Sequence, residues 1–324
     1  MRDDLQGQFI QLYREDADEL TTRLRIELSN SLLAPQASLS PKYFYDTLGS
    51  RLFQAICALP EYYPTRTEAA IFARYRSEMA QSTGTGNTMI DLGAGDCAKA
   101  ASLFDVLQPQ QYVPVDISVD FVRSAVESLQ CTHPQIEMLG VGMDFSARLD
   151  LPDEVRREKR LFFYPGSSIG NFTLREAIAF LRRMKLACGE DGGVLIGVDL
   201  VKDKAVLEPA YDDALGLTSA FNLNILNNIN RLLAADFELK DWQHRAFFHQ
   251  EKQRIEMYLE ARHDLSVHWQ GKQRDFVRGE RIHTENSYKY TPESFTGALN
   301  EAGFANTRMW TDEQGWFAVF HATP

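Results

Sequence analysis

The chain has little of what disulfide, membrane or nucleic-acid proteins need. It holds four cysteines, Cys57, Cys97, Cys131 and Cys188, and no two have C-x-x-C spacing. That argues against a disulfide framework and a cysteine-rich zinc site, and it predicts free thiols in a reducing cytoplasm. No apolar run approaches the roughly 18 residues of a membrane span. The charged start Met1-Arg2-Asp3-Asp4 lacks the apolar stretch of a secretory signal. Positive charge is also scarce: 34 Lys and Arg stand against 45 Asp and Glu, for a net charge of -11. A phosphate backbone would be repelled, so no nucleic-acid partner is expected. The one basic cluster, Arg156-Arg157-Glu158-Lys159-Arg160, reads as a solvated loop or helix end. Internal repeats, low-complexity tracts, apolar heptads and obvious apolar surface patches are absent as well, which predicts a monomer.

What remains is an ordinary globular composition over 324 residues, 44% of them hydrophobic. At roughly 150 residues per domain that suggests about two domains. The first 85 residues read as helical, with an amphipathic pattern at Phe9, Leu12, Tyr13 and Leu20 and a helix over 66–79. After the loop at 82–87 strands and helices alternate. Strands are predicted at 88–92, 112–117, 136–143, 161–164 and 193–200, with helices at 98–107, 119–129 and 174–187. Repeated β-α units mean a parallel, doubly wound sheet of Rossmann type. The rhythm breaks after Asp199. Residues 203–235 read as helical and Asn-rich, and 254–262 and 263–270 as paired strands. A helix at 292–302 and a strand at 316–321 restore the α/β pattern. The predicted organisation is a Rossmann-like cofactor domain over 66–200 and 288–324. A smaller substrate domain would comprise 1–65 and 201–287.

The first candidate site is the turn Asp91-Leu92-Gly93-Ala94-Gly95, between a strand and a helix. Glycines there let the backbone approach a ligand, and the helix start offers N–H groups. Asp116 ends the next strand, where a carboxylate suits the two hydroxyls of a ribose. Asp144-Phe145 ends the third, offering a polar edge and an aromatic wall for adenine. Gly93-x-Gly95-x-x-Ala98 also fits a looser dinucleotide pattern, so a nicotinamide cofactor stays open, as does a tight turn with no ligand. A strand ending in Asp-Leu-Gly-x-Gly resembles the class I methyltransferases, which implies S-adenosylmethionine. Cys97 lies where a helix start favours a thiolate, but it reads as a small packing residue.

Three further places are rich in polar and aromatic groups where a core would want Leu and Val. They are Tyr43-Phe44-Tyr45-Asp46 with Pro60–Arg66, the loop Gly166–Phe172, and Thr284–Tyr290. Ligands bind beyond the carboxyl ends of parallel strands, which marks Asn171 as a candidate on topology; Gly166, which opens the same loop, is a further substrate-binding candidate. With LPEYYPTR at 59–66, PGSSIGNF at 165–172, RIEMYL at 254–259 and IHTENSYKYT at 282–291, the chain resembles the bacterial L-histidine Nα-methyltransferases of ergothioneine biosynthesis. The resemblance runs from about Pro41 to Phe320. It implies methylation of the α-amino group of L-histidine to the trimethyl betaine hercynine. It also implies roles: Tyr62 near the substrate amine, Asn171 and Tyr211 at its carboxylate, Glu285 and Ser287 at the imidazole, and Met257 lining the pocket. On the cofactor side it implies Tyr45, Gly93, Lys99, Asp116, Asp144 and Phe145. The turn departs from the family's common Gly-Ser-Gly followed by Lys-Thr. Here the run is Gly93-Ala94-Gly95-Asp96-Cys97-Ala98-Lys99-Ala100, with the lysine kept and the hydroxyl absent.

Chemistry supports the imidazole assignment. A neutral imidazole has one donor and one acceptor nitrogen. Glu285 can accept from the ring N–H, and Ser287 can donate or accept. A buried polar group left unmatched costs about 1–3 kcal/mol, enough to disfavour phenylalanine or leucine. Aromatic faces such as Tyr45 or Phe221 suit a quaternary cation. His283 reads as structural rather than as a base. His244/His249 and His263/His268 are five residues apart, not the four of a helical zinc pair, so no metal is expected. Two rivals stay open: a different amino-acid acceptor, and a silent binder of the same cofactor.

Overall fold

The computed structural model describes residues 8–11, 17–117, 119–146 and 148–324. Met1-Arg2-Asp3-Asp4, Leu12 and Tyr13 lie outside them, as does the side chain of Leu20. The strands in chain order are β1 (Gln8–Gln11), β2 (Thr88–Leu92), β3 (Gln111–Asp116), β4 (Glu137–Gly142), β5 (Arg160–Tyr164) and β6 (Gly193–Asp199). Next come β7 (Trp242–His249), β8 (Arg254–Ala261), β9 (Leu265–Trp269), β10 (Lys272–Phe276) and β11 (Arg281–Tyr288). The last two are β12 (Asn306–Thr311) and β13 (Phe317–Thr323). The chain divides into two compact units, Met1–Tyr13 with Pro64–Val201 and Tyr290–Pro324, and Arg14–Tyr63 with Lys202–Lys289.

The first unit carries an eight-stranded sheet in the order β1-β4-β3-β2-β5-β6-β13-β12. The first six are parallel, β13 is antiparallel to β6, and β12 is antiparallel to β13. All five residues of β2 and all seven of β6 are buried, as strands covered on both faces require. Ile71 and Phe72 from the helix Tyr63–Thr83 join Met89, Tyr112, Phe163, Leu195 and Phe317 in one core. The helix Leu174–Cys188 starts on a reciprocal cap between Thr173 and Glu176. The helix Pro292–Ala302 starts on a cap between Thr291 and Ser294, has proline in its first turn, and ends on Gly303 at φ 102°. Strand order reverses at β2, with β3 on one side and β5 on the other. That is where an open α/β sheet forms its ligand crevice.

Two sequence expectations fail in this unit. Phe9 reads as part of a helix, yet Gln8–Gln11 is a strand on the free edge of β4. Gly140 makes this possible, since a Cβ there would sit 2.8 Å from the Phe9 ring. The helix expected over 98–107 breaks into Ala98–Ala101 and Phe104–Leu107. Between them Leu103 N–H reaches back to Ala100 O, and Ser102 Oγ donates to Lys99 O at 2.6 Å, which tightens the turn.

The second unit pairs a helical layer with two small sheets, β11-β8-β7 and β10-β9. The Asn-rich segment is the helix Leu217–Leu233. Its asparagines are buried ties: Asn224 donates to Asp46 Oδ1 at 2.9 Å, Asn228 to Tyr43 O at 2.8 Å and Asn222 to Tyr258 O at 3.0 Å. The expected pairing of 254–262 with 263–270 is not formed. β8 pairs with β7 and β11, and β9 pairs with β10. Gln270 and Gly271 both have positive φ, which is the two-residue hairpin turn that joins β9 to β10.

Candidate active site

In the first unit three adjacent parallel strands end on candidate ligand groups. β2 runs into Gly93 and Gly95, at φ 71° and 54°. The space over Gly95 is open, while a Cβ on Gly93 would meet the Phe145 ring at 3.7 Å. β3 ends on Asp116, whose Oδ2 accepts from Gly95 N–H at 3.2 Å. Just beyond β4, Asp144 Oδ1 accepts from Ser146 N–H at 3.1 Å. The Phe145 ring packs edge-on to Tyr164 at 5.9 Å. Asp91 is buried; Oδ2 accepts from Tyr112 at 2.7 Å, while Oδ1 has no hydrogen-bond partner among the described residues. Burial pushes its carboxyl up to about 7. An open glycine turn, a buried orphan carboxylate oxygen and carboxylates on neighbouring strand ends fit a nucleoside cofactor carrying a cation. Cys97 is buried, and burial pushes its thiol up to about 12, so it packs rather than reacts.

Lys99 is held by a residue that sequence reasoning missed. Glu68, on the helix Tyr63–Thr83, has a side chain only 1% exposed. Its Oε2 accepts from Lys99 Nζ at 2.6 Å and its Oε1 from Gly166 N–H at 2.7 Å. One carboxylate thus ties the turn after β2 to the loop after β5, across the point where strand order reverses. Gly197 on β6 makes room for it, since a Cβ there would lie 2.1 Å from Glu68 Oε1. Gly166 itself sits at φ 79°. Asn171 ends the short 3-10 helix Ser168–Asn171 in the same loop, half-buried, with no side-chain hydrogen bond to a described residue. The only sequence signal for Glu68 was its place two residues after LPEYYPTR.

In the second unit the alternation of β11 puts Glu285 and Ser287 on one face, with Lys289 next in the same register. Met257 on β8 lies directly opposite Glu285. Lys289 is 3% exposed. Its Nζ donates to Ser287 Oγ at 2.7 Å and to Tyr211 Oη at 2.9 Å, and the two hydroxyls are 2.8 Å apart. Glu285 is different. It is 8% exposed, and its carboxylate accepts no hydrogen bond from a described residue. Burial pushes it up to about 7 against the pull of the Lys289 ammonium.

Aromatic rings cluster in the same unit. Tyr62 packs edge-on to Tyr211 at 6.2 Å and to Phe53 at 6.0 Å. Tyr45, expected on the cofactor side, belongs to this unit, edge-on to Phe53 at 5.7 Å and to Phe221 at 5.8 Å. Burial, then the neighbouring Tyr211, Cys57, Tyr45 and Glu285, hold the Tyr62 phenol well above its usual range. It therefore stays protonated at neutral pH. His283 faces away from this chemistry: its Nε2 is 3.0 Å from Asn286 Oδ1 and its ring is edge-on to Tyr258. Among the described residues no three His, Cys, Asp or Glu side chains gather as a metal site. No helix among them is long and apolar enough to cross a membrane.

A parallel sheet with an antiparallel β13, a glycine turn after β2 and acidic residues at the ends of β3 and β4 defines a class I methyltransferase fold with its cofactor cleft. The family model for histidine-specific, S-adenosylmethionine-dependent methyltransferases matches residues 24–324. The chain is 39% identical to a histidine N-alpha-methyltransferase of Mycolicibacterium smegmatis, over 94% of its length and 95% of the relative's. It is also 39% identical to one of Mycobacterium tuberculosis, with the same coverage of both chains. Similarity to ergothioneine biosynthesis protein 1 of Neurospora crassa is 29%, over 82% of this chain and 31% of that protein. The chain belongs to the histidine-specific, S-adenosylmethionine-dependent methyltransferases.

Proposed function

We propose that this protein methylates the α-amino group of L-histidine, in repeated rounds that end at the trimethyl betaine. The observation that carries this reading is Glu285, a buried carboxylate that accepts no hydrogen bond from a described residue, beside hydroxyls already fixed in place. A buried carboxylate left in that state costs stability unless a ligand satisfies it. An imidazole N–H does so, and a phenyl or isobutyl side chain does not.

In this reading Gly93, Asp116, Asp144 and Phe145 hold S-adenosylmethionine, with Asp91 supporting the turn and Lys99 beside it. Tyr45 also belongs to that set by resemblance. When bound, the cofactor supplies an electrophilic methyl group on a sulfonium. The chain's own task is then positioning. Asn171 and Tyr211 hold the substrate carboxylate, Gly166 shapes the loop that carries Asn171, and Met257 lines the ring pocket opposite Glu285. Tyr62 orients the amine. As a protonated phenol it hydrogen-bonds to the nitrogen but is a poor base at neutral pH. The attacking amine must be neutral, so its proton leaves to water before each round. The rings of Tyr45, Phe53 and Phe221 suit the growing ammonium cation.

Mass spectrometry of histidine incubated with the protein and S-adenosylmethionine tests this. The expected products are mono-, di- and trimethylated histidine, with fragmentation placing every methyl on the α-nitrogen. Cofactor binding without product would identify a silent binder, and product from another amino acid alone would identify a different acceptor.

A further inference from the structure

His244 on β7 is a buried titratable group outside the residues that the resemblance implies, its side chain only 2% exposed. Its two ring nitrogens meet groups of opposite kind. Asn222, fully buried on the helix Leu217–Leu233, donates through Nδ2 to Tyr258 O at 3.0 Å and to His244 Nδ1 at 2.8 Å. A backbone carbonyl only accepts, so Tyr258 O fixes which way the amide faces. Turned over, the amide would set its oxygen against Tyr258 O. The amide nitrogen only donates, so His244 Nδ1 is the bare ring nitrogen. The ring proton then sits on Nε2, which donates to Tyr211 O at 2.8 Å. Burial holds the imidazole below the usual histidine range, against the pull of the Tyr211 carbonyl, Asp212 and Asp213 and with the push of Arg245. His244 is therefore neutral at neutral pH and held in one tautomer.

Tyr211 follows the 3-10 helix Glu208–Ala210 at φ -120° and ψ 0°, outside helix and strand, so no ladder of backbone bonds sets its carbonyl. We propose that His244 is a positioning residue: its Nε2–H fixes the Tyr211 backbone, and with it the place of the hydroxyl that holds the carboxylate of the amino-acid substrate. The inference rests on the histidine reading of the function, in which Tyr211 has that role. Asn222 acts one step further back, by keeping the ring proton on the nitrogen that faces Tyr211.

Two substitutions separate the two bonds of the ring. His244→Gln places an amide nitrogen about where Nε2 lies and keeps the donor to Tyr211 O. His244→Asn places a carbonyl oxygen about where Nδ1 lies, so it keeps the acceptor for Asn222 and loses that donor. His244→Asn should raise the histidine KM about tenfold, with kcat and S-adenosylmethionine affinity nearly unchanged, and His244→Gln should stay within about threefold of wild type. In a Tyr211→Phe background, where the positioned hydroxyl is gone, His244→Asn should add less than about twofold. A wild-type KM in His244→Asn, equal losses in the two variants, or a full further tenfold in the Tyr211→Phe background overturns the proposal. Nitrogen NMR of the free wild-type protein at neutral pH adds a test that does not depend on activity, with the His244 signals identified by their loss in His244→Gln. A protonated Nε2 and a bare Nδ1 are expected; the reverse tautomer, or protons on both nitrogens, overturns the proposal. If wild-type protein neither binds nor methylates histidine while His244 shows the expected tautomer, the reading of function fails instead, and the two failures are distinct.

Discussion

Glu68 and Glu285 are both buried carboxylates, one in each unit, and they differ in what surrounds them. Glu68 has an ammonium on one oxygen and a backbone N–H on the other, and a glycine at 197 is shaped around it. Glu285 has a nearby ammonium that is engaged with Ser287 and Tyr211, and its carboxylate accepts no hydrogen bond from a described residue. Burial of a charge is tolerated when its lone pairs are met, as at Glu68. Where no described residue meets them, the missing partner is read as a ligand. Glu68 thus belongs to the architecture of the cofactor cleft, and Glu285 to recognition.

Substitutions can break this contrast. The largest effect is expected at Glu68: Glu68→Ala leaves Gly166 N–H and Lys99 without their shared acceptor and should cost on the order of 3 kcal/mol of stability. Chemical denaturation measures it. A wild-type midpoint would mean that the carboxylate holds nothing together. Glu285→Gln should go the other way. Its pKa is raised from 4.5 to about 7, so the folded state binds an extra proton between those values. Stability from that group is complete below pH 4.5 and is lost as pH rises through about 7. Replacing it should therefore stabilise the unliganded protein at pH 8 by up to about 3 kcal/mol and change nothing near pH 4. Thermal melts at both pH values decide, and equal destabilisation at both would show that Glu285 is satisfied. The smallest effect sharpens the same division. Asn171→Ala should raise the histidine KM by roughly tenfold, the loss of one or two hydrogen bonds, with cofactor affinity nearly unchanged. Loss of cofactor affinity instead would assign Asn171 to the cofactor.

Much of the first unit was legible because local signals agree there. β2 begins and ends where the apolar run and the glycine turn place it, and Pro292–Ala302 is bounded by Thr291 and Gly303 as its caps require. The elements that escaped are those without such agreement. β12 is largely exposed and polar, and β7 mixes His, Arg and Phe without clean alternation. β1 owes its pairing to a glycine far along the chain. The β9–β10 hairpin was misread because Gln270-Gly271 is a two-residue turn inside what looked like one strand's end. The candidate residues stand out as polar and aromatic strings. Their supports do not: Glu68 meets Gly166 across 98 residues and Lys289 meets Tyr211 across 78. No local pattern reports a contact of that kind.

The central claim is that Glu285 is unmet because the substrate's ring meets it. The most direct test is kcat/KM for histidine and for phenylalanine, in wild-type protein and in Glu285→Ala. The account predicts that histidine falls by about 100-fold, the value of a hydrogen bond to a charged group, while phenylalanine holds or improves. A parallel fall for both substrates, or no fall for histidine, would contradict it.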